Sequence, residues 1–139
     1  MSDILVTSLS NLKNEVRYEN HVLITDEPLS VGGEDAGPDP YTLILAALGS
    51  CISMTATLYA RRKAWPLERV TVRLRQKRIH AADCAECTEI TEGYVHRIER
   101  SVTFEGELDD AQKMRLQEIA HQCPVHKTLT SAIVITDLK

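Results

Sequence analysis

Four cysteines carry most of the chemistry open to this 139-residue chain. Cys51 lies inside an apolar stretch, "LILAALGSCISM", and Cys123 stands directly before a proline in "AHQCPVHKT". A thiolate can attack a peroxide oxygen to give a sulfenic acid, which a second thiol converts to a disulfide. That chemistry needs two cysteines within reach and one of them activated, and spacing in sequence does not establish reach. Taken alone, Cys51 reads as a small hydrophobe beside Ala46, Ala47 and Met54. Cys123 is more suggestive. If Pro124 opens a new helical turn, unpaired backbone N–H groups would point at its sulfur and lower its pKa. His121 and His126 either add positive charge there or lie on the surface.

The other two thiols form Cys84-x-x-Cys87, with His80 before them and His96 after. Structural zinc wants four ligands, and one such knuckle supplies two. A redox Cys-x-x-Cys normally opens a helix after a strand. Here the pair sits among Asp83, Glu86, Glu89 and Glu92, whose charges disfavour a thiolate. The preferred reading is a solvated loop with ordinary thiols; a redox pair and half a metal site are the alternatives.

Positioning the cysteines is the work of the surrounding elements. "ILVTSL" and "HVLITDE" read as short strands, with "NLKNEVRYEN" a polar strand or hairpin between them. "VGGEDAGPDP" is a loop. Asp39-Pro40 then caps a helix that carries Cys51 and runs towards Pro66; its first half is apolar on every side, which predicts burial all round. "ERVTVRLRQKRIH" alternates as a half-exposed strand, "YVHRIERSVTFEGE" pairs with it, and "AADCAECTEITEG" is the flap between. Asp109 or Asp110 caps a second helix on which Leu116, Ile119, Ala120 and Cys123 share one stripe. "AIVITD" is expected to close the chain as a strand. The sum is a single α+β domain over residues 1–139.

Composition excludes several functions. A net charge of −4 lacks the basic excess of a nucleic-acid protein. The basic runs at Arg61–Lys63 and at Arg73, Arg75, Lys77 and Arg78 read as a helix C-terminus and a solvated strand face. No basic n-region precedes a long apolar stretch at the N-terminus, and the run from Leu43 to Leu48 is too short to span a bilayer. The expectation is a cytoplasmic protein with neither nucleic acid nor membrane as partner, in a compartment that keeps thiols reduced.

"GPDPYTLILAALGSC" joined to "QCPVHKTL" resembles the OsmC/Ohr family of thiol-dependent hydroperoxide reductases, nearest its OsmC-like (YhfA-type) branch, whose members often carry a "DCAEC" insertion. The likeness runs from the "VLITDEP" strand to the C-terminus. It implies an intertwined homodimer in which two long central helices pack with antiparallel sheets. It also implies a cysteine-based peroxidase that reduces organic hydroperoxides at the expense of a dithiol reductant, with no flavin, haem or metal. Cys51 would be the peroxidatic thiol and Cys123 the resolving one, although the residues alone favour Cys123 as the more activated. Leu45, Leu48, Ile52 and Met54 would line the site for a lipophilic peroxide. One position departs from the family. Tyr41 stands ten residues before Cys51, where the family places a glutamate that orients a thiolate-binding arginine. Arg17, in "EVRYENH", is the candidate for that arginine. A tyrosine cannot ion-pair with a guanidinium, so the second reading is a redox-sensing or small-molecule-binding protein without turnover.

Overall fold

In a computed structural model the chain is α+β, and the structure describes residues 2–87 and 92–139. It forms two compact units, residues 1–44 and 45–139.

The first unit is an antiparallel meander of β1 (Leu5–Ser8), β2 (Asn14–Tyr18) and β3 (His21–Thr25). Its register pairs Val16 with Val6 on one side and with Leu23 on the other. The loop after β3 is organised by Asp26, which is buried. Its carboxylate accepts the backbone N–H of Glu27, Glu34 and Ala36 at 2.8, 3.1 and 3.1 Å. Burial pushes the Asp26 pKa up, but the three amides and the Lys13 ammonium outweigh it and hold the carboxyl below its ordinary value. The Gly/Pro-rich stretch is thus a loop built around one carboxylate, a role its composition did not reveal.

Helix α1 (Pro40–Arg62) starts as its cap residues dictate: Asp39 Oδ1 accepts the Thr42 N–H at 3.0 Å, and Pro40 occupies the first helical position. It is not buried all round. Leu48, Gly49, Ile52, Ala56 and Ala60 are buried, whereas Met54 and Leu58 are 64% and 58% exposed. One chain covers one face of this helix. With a hydropathy of 1.7 over 18 residues, α1 is long and apolar enough to cross a membrane, contrary to the shorter estimate from Leu43–Leu48, yet its buried face belongs to the protein core.

In the second unit, β4 (Leu67–His80) and β5 (Tyr94–Gly106) form a long antiparallel hairpin. Alternation sends Val70, Val72 and Leu74 inwards and leaves Thr71, Arg73 and Arg75 exposed. Gly49 is where hairpin and helix meet most closely: a Cβ there would lie 2.7 Å from Leu74 Cδ1. That explains a mid-helix glycine which costs about 1 kcal/mol relative to alanine.

Helix α2 (Asp110–Ala120) opens with a capping box in which Asp109 Oδ1 accepts the Gln112 N–H and Gln112 Oε1 accepts the Asp109 N–H. Helix α3 (Pro124–Leu129) follows at once, capped by Cys123. The expected stripe holds, since Leu116, Ile119, Ala120 and Cys123 are all buried. The helices are unequal: α1 has 23 residues, α2 has 11 and α3 has 6. Leu116 is fully buried against Ala56, Ala60 and Phe104. Leu116→Ala is therefore expected to cost about 2–5 kcal/mol, read as a lowered urea midpoint at constant m.

The expected closing strand is absent. Residues 132–139 pair with no strand, and Ile133, Val134 and Ile135 are 59%, 84% and 91% exposed. The alternation of a strand is present there, but among the described residues of this chain no sheet edge receives it.

Candidate active site at Cys51 and Cys123

The second unit brings Cys51 and Cys123 together. Leu48, Ile52, Ala120 and Cys123 form one buried cluster, with Cys51, Val72, Leu74, Ile98, Val102 and Val125 packed around it. Cys51 reaches this cluster from α1 and is half-buried, whereas Cys123 is fully buried. The turn between α2 and α3 positions Cys123: Pro124 cannot continue the preceding helix but suits the first position of the next. The His126 N–H consequently points back and donates to Cys123 Sγ at 3.4 Å.

Cys51 and Cys123 pack against each other in this cluster, and their surroundings push the two thiols' pKa values in opposite directions. Burial pushes the Cys51 thiol up. The hydrogen bond from Cys123, the Val125 N–H and the Thr55 hydroxyl outweigh burial and leave Cys51 below the ordinary thiol value. Thr55 Oγ1 lies 4.0 Å from its sulfur. Cys123 is pushed up, first by burial and then by its bond to Cys51, against the His126 and Val125 amides. These directions make Cys51 the more acidic of the two thiols. The helix-start argument had pointed the other way. The His126 amide does lie at Cys123 Sγ as that argument expects, but Cys51 is the more exposed of the two residues.

Arg17 is an exposed residue of β2 in the first unit, where Glu15 holds its guanidinium with Nη2–Oε1 at 3.0 Å. The residues expected to line a peroxide site divide among different surroundings. Ile52 is fully buried core, Leu48 borders a cavity beside His126, and Met54 faces a separate hollow with Val70, Val72 and Leu74.

Sequence reasoning missed Arg100. It extends from β5 into the space beside α3, donating from Nη1 to His126 Nδ1 at 3.3 Å and from Nη2 to His121 Nδ1. Burial, the Arg100 charge and His121 together push the His126 pKa down. Its partners are 21 and 26 residues away, so no local pattern announced them.

Cys84 and Cys87, read as ordinary loop thiols, are joined as a disulfide with Cα atoms 5.3 Å apart. A turn of this span brings the two α-carbons within bridging distance. Cys84 follows a short 3-10 turn (Ala81–Asp83) at the end of β4; residues 88–91 of the expected flap lie outside the described residues. Among the described residues no cluster of three or more His, Cys, Asp or Glu side chains could hold a metal.

Comparison with solved structures places this architecture. A proposed osmotic stress induced and detoxification response protein of Psychrobacter arcticus is similar at a TM-score of 0.72 and 24% identity, over 92% of this chain and 88% of that one. The organic hydroperoxide resistance protein OsmC of Legionella pneumophila gives 0.66 and 18%, over 94% and 89%. An organic hydroperoxide resistance protein of Elizabethkingia anophelis gives 0.65 and 19%, again over 94% and 89%. At these identities the likeness is one of fold. A comparison with curated protein sequences finds no match. The family described as OsmC-like protein matches residues 32–136, most of the sequence and both thiols of the cluster, and the chain belongs to that family.

Proposed function

We propose that this chain is a cysteine-based peroxidase that reduces organic hydroperoxides, with Cys51 as the attacking thiolate and Cys123 as the resolving thiol. The observation that carries the proposal is the packing of Cys51 and Cys123 in one cluster, with Cys51 half-buried and the His126 N–H donating to the buried Cys123 Sγ. The opposite directions in which their surroundings push the two thiols agree with it. Hydroperoxide resistance in the names of structural neighbours points the same way.

In the proposed cycle the Cys51 thiolate attacks the terminal peroxide oxygen and the O–O bond breaks. The departing alkoxide takes up a proton to become the alcohol, leaving Cys51 as a sulfenic acid. The proton held by Cys123 is the nearest available, and its loss makes Cys123 the thiolate that attacks the sulfenic sulfur. The sulfenic S–O bond breaks, hydroxide leaves and takes a proton from solvent to become water, and a Cys51–Cys123 disulfide forms. An external dithiol then exchanges with that disulfide and is itself oxidised, restoring both thiols. The cycle uses no cofactor, and Arg17 is its candidate thiolate-holding cation. Consumption of cumene hydroperoxide by purified protein with a dithiol present tests the reading.

Redox sensing without turnover is the second reading, favoured by Tyr41 at the position of the family glutamate and by Glu15 occupying the Arg17 guanidinium. A protein that forms the disulfide once, and is not returned to the thiols by dithiols, would belong to this class.

The same proposal takes the working unit to be a cytoplasmic homodimer. Met54 and Leu58 on α1, and separately Val6, Val22 and Leu23 on the first sheet, are exposed apolar side chains that a second copy would cover. Light scattering at micromolar concentration is expected to give twice the 15.6 kDa chain mass. A folded species at the chain mass would contradict it.

A further inference from the structure

Beside the thiol pair lies a cavity of about 230 Å³ bordered by Leu48, Ile98, Leu129, His126 and Arg100. It is small against the roughly 300–1,000 Å³ of drug-sized ligand sites. Its apolar lining is Leu48, Ile98 and Leu129, and its polar lining is Arg100 and His126 with His96 and Thr130. The setting of Arg100 is unusual. Arg100 is half-buried, and among the described residues none of the ion pairs involves it. Its two hydrogen-bond partners are imidazole Nδ1 atoms of His121 and His126. A guanidinium can only donate, so both Nδ1 atoms accept in these bonds. Arg100 is thus met by imidazole nitrogens, with no ion pair to a carboxylate among the described residues. It also has donors to spare, because a guanidinium has five N–H groups.

The position matters as much as the charge. Leu48 is one helical turn before Cys51 on α1, and Leu48 and Ile98 pack in the cluster that holds Cys123. His126 carries the N–H that donates to Cys123 Sγ, and its ring receives Arg100. The cavity and the thiol pair thus share a wall.

We propose that Arg100, oriented by His121 and His126, is the anion-binding group of a subsite for a small carboxylate with an apolar body. Resting on the peroxidase reading, this makes carboxylate-bearing hydroperoxides the preferred substrates over neutral ones of the same shape. Arg is suited to such recognition because its planar fork meets a carboxylate with two parallel hydrogen bonds. The apolar lining supplies the rest of the affinity by excluding water.

Two measurements decide it. The first uses benzoate and benzamide, which match in shape but not in charge, followed through the imidazole resonances of His126 by NMR. Benzoate is expected to bind roughly tenfold or more tightly than benzamide, as one charged hydrogen-bonded contact provides. Arg100→Gln is expected to erase that difference and Arg100→Lys to keep part of it. Equal binding of the two probes, or a preference that survives Arg100→Gln, would overturn the subsite. The second compares kcat/KM for cumene hydroperoxide and its ring-carboxylated analogue. The carboxylated peroxide is expected to lead by roughly tenfold in the wild type, and the ratio to fall towards one in Arg100→Gln. A ratio near one in the wild type would overturn the substrate preference. If neither peroxide is consumed, the peroxidase reading fails, and the benzoate experiment still decides the subsite.

Discussion

Cys51→Ser is expected to abolish organic hydroperoxide consumption, lowering the rate by roughly 10³-fold or more. The reason lies in the nucleophile. A serine hydroxyl stays protonated at neutral pH and forms no oxidised counterpart of a sulfenic acid, so the first step has no substitute. Cys51 is the half-buried sulfur whose pKa is lowered, whereas Cys123 is fully enclosed and raised. A peroxide meets the reactive thiolate first. The substitution changes one atom in a packed cluster, so a normal urea midpoint alongside the lost rate separates chemistry from folding. Persistent turnover in Cys51→Ser would remove the assignment.

Substitution at Cys123 is expected to do two separable things. Cys123→Ser leaves no resolving thiol, so the protein should react once and stop at a sulfenic acid on Cys51 that a dimedone probe traps. Cys123→Ala should in addition remove the hydrogen bond that contributes most to lowering the Cys51 pKa. The sign follows directly. The thiolate exists above its pKa, so the rate of the first, single-turnover oxidation falls as pH drops through that value. In the wild type this acidic limb should lie below that of a free thiol. In Cys123→Ala it should move to higher pH, with a slower reaction at pH 7. The serine variant keeps an O–H donor and should move less. Stopped-flow oxidation of each variant across pH reads all three limbs, and coincident limbs would show that Cys123 does not tune Cys51.

The order of elements was legible in the sequence because the signals that set it are local. Asp39-Pro40 begins α1 through a contact three residues away, and Asp109 with Gln112 does the same for α2. Period-two alternation located β4 and β5, and the helical stripe from Leu116 to Cys123 gave the buried face. What failed depended on partners. "AIVITD" has the pattern of a strand, but a pattern states only that a segment suits a ladder, not that an edge is available to it. The first half of α1 is apolar on every side, a helix that needs more cover than one small sheet gives, and one chain buries only one face of it. At the site, the pairing of two thiols 72 residues apart came from the family resemblance joined to the helical stripe, since Cys51 and Cys123 are distant in sequence. Arg100 was invisible because "HRIERSV" reads as an ordinary alternating strand, and only the fold brings His121 and His126 to it. The Cys84–Cys87 bond was underweighted because neighbouring carboxylates were taken to decide the matter, whereas turn geometry alone brings the thiols within reach.

The most direct test of the central claim is peptide mass spectrometry of wild-type protein, first fully reduced and then treated with one equivalent of cumene hydroperoxide. The account expects a peptide pair linked through Cys51 and Cys123, reversed by a dithiol, with Cys51 alone as the sulfenic acid in Cys123→Ser. Oxidation confined to a Cys84–Cys87 bond, with Cys51 and Cys123 still free thiols, would contradict it.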